Sequence, residues 1–287
     1  MKVKPLIVSG GLVTGHSDHL LKLHQAYVDY GFIESNEKID FAIHTWDIGF
    51  NQKYIKSLKR YEHKFNFNIH IESYEDVFLP MVGSIIHPAD VQGGHWKTFL
   101  LTYSLWRAFE KVYDIESYGH ILKYKMDVIS DHLPWGIVDN VADYFKRRSI
   151  HSFPALYNYD YTDCFYSQHI HDGIDERHFV TFPKPIKKIF LKKKLVDLMV
   201  ELKEICLYLC RKYDIDPERE TPWRVQGSTM WGELLKRNDI PNISVYNMYN
   251  GRSRGEITPK FVVDYIDNSY IIRNKDNYKY TPWNKLM

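Results

Sequence analysis

The apolar run "PLIV" at residues 5 to 8 ends at Ser9, Gly10 and Gly11, a pattern that predicts a short buried strand. A helix is predicted from about Ser17 to Tyr30, with Leu20, Leu23, Tyr27 and Tyr30 on one stripe. "KIDFAIHTWD" predicts a second strand, "NQKYIKSLKRYEHKF" a surface helix and "FNIHIESY" a third strand. Strands alternating with helices in this way predict a parallel sheet with right-handed crossovers. "FLPMVGSIIHPADVQGG", rich in Pro and Gly, reads as a loop. The next helix, "HWKTFLLTYSLWRAFEKVY", is expected to pack through Trp96, Leu100, Tyr103 and Trp106.

"HILKYKMDVISD" follows as a strand with an unusual face. His120, Leu122, Tyr124 and Met126 alternate with Ile121, Lys123, Lys125 and Asp127. Two readings stay open: cations and a carboxylate gathered for a ligand, or the ordinary charges of a solvent-facing edge strand. Beyond it, "LPWGIVDNVADYFKRR" reads as helical, "SIHSFPALY" as a strand, Asn158 to Gly173 as irregular and "RHFVTF" as a short strand. One long helix is predicted from about Lys184 to Tyr213, striped by Leu191, Leu195, Leu198, Leu202 and Leu209, and another from about Val225 to Arg237. "ISVYNMY" reads as a late strand, and the basic, aromatic tail from Gly251 as loop-like.

Composition narrows the function classes. The chain has 287 residues, is 44% hydrophobic and 26% charged, and so can bury a full core. A net charge of +2 argues against a general nucleic-acid binder. Three cysteines give no disulfide framework and point to a reducing compartment, with Cys206 and Cys210 read as buried apolar residues. "MKVKPLIVSGG" does not read as a signal peptide, and no apolar stretch is long enough to span a bilayer. A cytoplasmic protein is expected.

In a doubly wound sheet, ligands sit beyond the carboxyl ends of the strands. That rule gathers Ser9-Gly10-Gly11, Thr45-Trp46-Asp47, Lys125-Met126-Asp127 and a loop around Asp175 and Glu176. Gly10 and Gly11 would let backbone approach an anion closely, although a tight turn explains the pair equally well. Neither G-x-G-x-x-G nor G-x-x-x-x-G-K-[ST] is present, so the dinucleotide and P-loop readings fail.

"IDFAIHTWD", "HWKTFLLTYSLWRAFE" and "YGHILKYKMDV" together resemble a family of nucleotide-sugar glycosyltransferases. Its members are encoded in bacterial surface-polysaccharide clusters and by some large viruses and phages. The resemblance covers residues 3 to 130 well and the remainder by element order. It implies a GT-A fold, a Rossmann-like α/β/α sandwich with a mostly parallel central sheet and a helical C-terminal part. It also implies one domain over 1–287, residues 1–130 binding the donor and 131–287 facing the acceptor. By that likeness Lys123 and Lys125 stand where the family has arginines, and Asp127 where it has the acid of a degenerate D-x-D motif. The implied cofactor is Mn²⁺ or Mg²⁺ on Asp127. Ser9, Gly10, Gly11, Asp47, Lys123 and Lys125 would bind the nucleotide sugar. The implied partners are that donor and a glycan or glycolipid acceptor.

Other residues fill in this reading. Asp175 and Glu176 stand where GT-A enzymes often present an acceptor-side acid, Asp175 being the candidate general base; the other reading of each is an acid on a surface loop. Arg252 and Arg254, in "GRSRG", could close over the diphosphate. The lysines from Lys184 to Lys194 could draw the protein to an anionic membrane, or form a solvated basic face. Those at the start of the long helix stand at the wrong end for its dipole. Two rival readings remain. One is a metal-dependent hydrolase built on His16, His19, His24, His169 and His171. The other is a silent nucleotide- or glycan-binding module on the same fold.

Overall fold

The computed structural model describes residues 4–11, 13, 18–29, 32–85, 94–126, 161–170, 173–215, 227–246, 261–266, 269–274 and 278–282. In chain order the first strands and helices are β1 (Pro5–Gly10), α1 (Asp18–Asp29), β2 (Ile39–Trp46), α2 (Gly49–Leu58) and β3 (Phe65–Glu72). Then come α3 (Leu79–Ile85), α4 (Gly94–Glu110), β4 (His120–Lys123), β5 (Phe165–Ile170) and β6 (Gly173–Thr181). The chain continues through α5 (Pro183–Ile186), α6 (Leu195–Lys212), α7 (Gly227–Arg237) and β7 (Asn242–Tyr246). Last are β8 (Phe261–Ile266), β9 (Ser269–Asn274) and β10 (Tyr278–Pro282).

Among the described residues the strands form one sheet in the order β10-β9-β8-β7-β5-β6-β4-β1-β2-β3. The five strands at one side, β6-β4-β1-β2-β3, are mostly parallel: β4, β1, β2 and β3 run together and β6 alone is reversed. This is the mixed α/β arrangement, with a parallel core, expected from the alternation of strands and helices. Apolar residues of β1 point alternately to two cores, as a strand buried on both faces must. Leu6 and Val8 meet α4, α6 and α7 on one side, and Ile7 meets α1 on the other. The alternation from Ile121 to Met126 holds too, although β4 itself ends at Lys123: Ile121 lies on the α4 side and Leu122, Tyr124 and Met126 on the α1 side.

Several local expectations are corrected. "LPMVGSI", read as the start of a loop, is α3, entered from a π-helical turn at Tyr74–Phe78. Ser73 caps that turn by accepting from the Asp76 N–H, and Phe78 and Val82 anchor it in the core. The stripe of α4 is broader than predicted. Phe99, Tyr103, Leu105, Ala108 and Phe109 are buried while Leu100 and Trp106 are only partly so, because α4 lies between the sheet and α6. The long helix from Lys184 is interrupted. A π-helical turn spans Lys187–Leu191, and Lys194 is extended at φ −67°, ψ 148° before α6 begins. The lysines therefore precede α6, whose first turn carries Asp197 and last turn Arg211 and Lys212, in accord with its dipole. Residues 165–170, expected to be irregular, form β5. Asp175 and Glu176 lie inside strand β6 rather than in a loop. The tail is not loop-like, since β8, β9 and β10 make an antiparallel meander. The helix and strand expected between residues 133 and 157 lie outside the described residues.

Candidate functional site

The carboxyl ends of β1, β2 and β4 are neighbours. Gly10 pairs with His44 across β1 and β2, and Val8 with Lys123 across β1 and β4. β6 runs antiparallel with Phe179 opposite Lys123, so its first residues, Asp175 among them, lie toward the same edge. Ser9 is buried on the α1 side of β1, and Asp47 is exposed just past β2. Lys123 is fully buried on the α4 face, while Lys125 is half-buried beyond the strand. β4 is enclosed between β1 and β6, which removes the reading of a solvent-facing edge strand. Asp127, Arg252 and Arg254 lie outside the described residues, and the side chains of Asp175 and Glu176 are likewise not described.

The two glycines have different local reasons. Gly11 has φ of +103°, in the left-handed region where a side chain would be strained. Its N–H donates to the His44 carbonyl at 3.1 Å, fixing the turn to β2. Asp47 is held twice: its N–H donates to the Glu72 carbonyl at 2.8 Å, and its Oδ1 accepts from Gln52 Nε2 at 2.7 Å.

Beside this edge, under α4, lies a polar cluster that the sequence reading did not single out. Glu72, at the end of β3, accepts from His44 Nε2 at 3.1 Å, Tyr103 Oη at 2.8 Å and Arg107 Nε at 3.0 Å, all on Oε2. Its Oε1 accepts from His70 Nε2 at 2.9 Å and from Arg107 Nη2. Burial alone would raise the Glu72 carboxyl, but donors from His44, Arg107, His70 and Tyr103 hold it well below the usual carboxylate range. Burial lowers the His44 imidazole, so it stays neutral at pH 7 and serves as an Nε2–H donor. Burial and the adjacent carboxylate push the Tyr103 phenol up, keeping it a donor as well. The sequence signal was present. His70 and Glu72 alternate with Phe65, Phe67 and Ile69, which puts both on the face opposite the α1 core.

Among the described residues, His44, His70 and Glu72 are the one group of three able to hold a metal ion, their ligand atoms lying within 4.8 Å of one another. A metal there would have to displace Arg107 from a carboxylate whose two oxygens already take five donors. Of the histidines named from sequence, His24 is buried, with Nε2 2.8 Å from the Glu37 carbonyl oxygen and its ring edge-on to Phe65. The side chains of His16, His19, His169 and His171 lie outside the description. Cys206 and Cys210 are buried free thiols, as expected. Lys184 pairs with Asp163 at 2.6 Å, Lys187 with Glu116 at 2.5 Å, and Lys193 with Glu201, so half of the lysines in "PKPIKKIFLKKK" are partnered by acids. No helix among the described residues is long and apolar enough to cross a membrane.

No family profile matches the chain, and no curated protein matches it. Among solved structures it is similar to the apo form of mouse xyloside xylosyltransferase 1, with a TM-score of 0.40, 9% identity and 82% of each chain covered. A likeness at that level assigns no role to any residue.

Proposed function

We propose that this chain is a glycosyltransferase that moves a sugar from a nucleoside-diphosphate donor to a glycan hydroxyl. The observation that carries the reading is the adjacency of three motif-bearing strand ends: the Gly10–Gly11 turn, Trp46–Asp47 and the lysine-bearing β4. Two of those ends, in "IDFAIHTWD" and "YGHILKYKMDV", carry the family resemblance, and no dinucleotide or P-loop fingerprint competes with it.

Gly10 and Gly11 present backbone to the donor, Ser9 supports them from within β1, and Asp47 flanks the nucleoside. Lys123 and Lys125 favour the diphosphate electrostatically; as point charges they bind it without the two-pronged geometry of arginine. Arg252 and Arg254 close over it. Asp127 would hold Mn²⁺ or Mg²⁺ through its carboxylate, the hard oxygen donor such ions require. The chemistry such an ion would supply is neutralisation of the charge developing on the departing diphosphate. Asp175 takes the acceptor's proton. Exposed Lys192 and Lys194 draw the protein to the anionic surface where a lipid-linked acceptor sits.

A metal-dependent hydrolase has the His44–His70–Glu72 group in its favour, but Arg107 and Tyr103 already occupy that carboxylate. A thermal-shift series tests the transferase reading. Nucleoside diphosphates with Mn²⁺ should raise the melting temperature well beyond NAD or ATP. A larger shift with NAD would end the reading.

A further inference from the structure

The first turn of α2 ties the segment that follows β1 to the end of the neighbouring strand β2. Asn51 is fully buried, and both ends of its amide are spent on backbone. Its Oδ1 accepts from the Val13 N–H at 3.1 Å, and its Nδ2 donates to the Trp46 carbonyl at 2.9 Å. Val13 follows the Gly10–Gly11 turn by two residues, and Trp46 ends β2. One side chain thus bridges the segment leaving β1 to the end of β2. Gln52, the next residue, fixes Asp47 from the same helical turn.

We propose that Asn51 is a positioning residue for donor binding, setting the span between the Gly10–Gly11 turn and Asp47. The proposal rests on the reading that this edge of the sheet takes a nucleoside-diphosphate sugar. An amide suits the task because one end must accept and the other donate; a carboxylate only accepts, and alanine does neither. Binding segments that must be ordered at the moment of binding lose affinity by the free energy of that ordering. Once the donor is seated, the reacting bonds meet the same groups. The loss therefore falls on donor Kd and KM and leaves kcat nearly intact.

The test uses the full chain as wild type, Asn51→Ala and Asn51→Asp. Affinity for UDP, GDP, CDP and ADP with Mn²⁺ is measured by calorimetry, with donor KM and kcat, melting temperature and hydrogen exchange at the Val13 amide. Asn51→Ala should exchange faster at Val13 and bind the preferred nucleoside diphosphate about tenfold more weakly, with kcat within about twofold of wild type. Asn51→Asp keeps an acceptor for Val13 but faces the Trp46 carbonyl with a negative oxygen. It should restore protection at Val13 and bind with intermediate affinity. If Asn51→Ala does not fold, Asn51→Asp decides: weaker binding supports the role and wild-type affinity overturns it. Faster exchange at Val13 with unchanged affinity would make Asn51 structural only and overturn the proposal alone. A wild type that binds none of the four overturns the donor reading and the positioning role with it.

Discussion

The Ser104 Cβ of α4 lies 2.8 Å from the point a Cβ on Gly10 would occupy, with the Leu105 nitrogen at 3.0 Å. Gly10 is thus a packing requirement, because α4 crosses β1 where no side chain intervenes. Gly11 is different: among the described residues no atom beyond its chain neighbours lies within 4 Å of its Cβ position, and its demand is the positive φ.

Gly10→Ala must therefore push α4 off the sheet, since the obstructing atoms are backbone and a Cβ rather than a flexible side-chain end. The expected loss of stability is about 1–3 kcal/mol, read from urea unfolding. An unchanged midpoint would contradict the close approach of α4 to β1.

Glu72 makes stability depend on acid pH. Its folded carboxyl is depressed below the ordinary value, so it stabilises the fold fully above the unfolded value of about 4.3 and loses that contribution as pH falls through the folded value. Glu72→Gln removes the charge that His44, His70, Tyr103 and Arg107 address. Its melting temperature should lie below wild type at pH 7, and the gap should narrow as pH is lowered toward 3. A gap that stays constant across that range would show that the carboxylate's charge does not hold the cluster together.

Much of the central sheet was legible because its strands carry the plain signature of two-sided burial. "PLIV", "FAIHTW" and "HILK" are short apolar runs bounded by turn residues, and each forms a strand of the parallel core. The alternation in "HILKYKM" also read correctly through Met126, since neighbouring residues on a strand must face opposite sides. What failed depended on partners distant in sequence. The lysines at 192–194 continue a helical stripe by composition, yet the backbone is extended at Lys194. The tail is the exception: Asp267-Asn268 and "KDN" at 275–277 are turn-type residues between the runs that form β8, β9 and β10, so its hairpins had a local signal. Glu72 was invisible as a hub because its donors come from β2, β3 and α4, and the register that aligns Trp46 with Glu72 is not written in either segment. Asn51 was hidden similarly: its bonds to Val13 and Trp46 exist only once α2 docks at the end of β2.

The central claim, transfer from a nucleotide sugar through a cation on Asp127, is tested most directly by donor turnover. Release of free nucleoside diphosphate from a panel of UDP-, GDP-, ADP- and dTDP-sugars with Mn²⁺ is measured for wild type and for Asp127→Asn, each with its melting temperature. Wild type should release diphosphate from one donor class, and Asp127→Asn should be slower by roughly 10²–10³ with an unchanged melting temperature. Release by a natively folded Asp127→Asn at the wild-type rate would contradict the metal role, and no release from any donor by wild type would contradict the account as a whole.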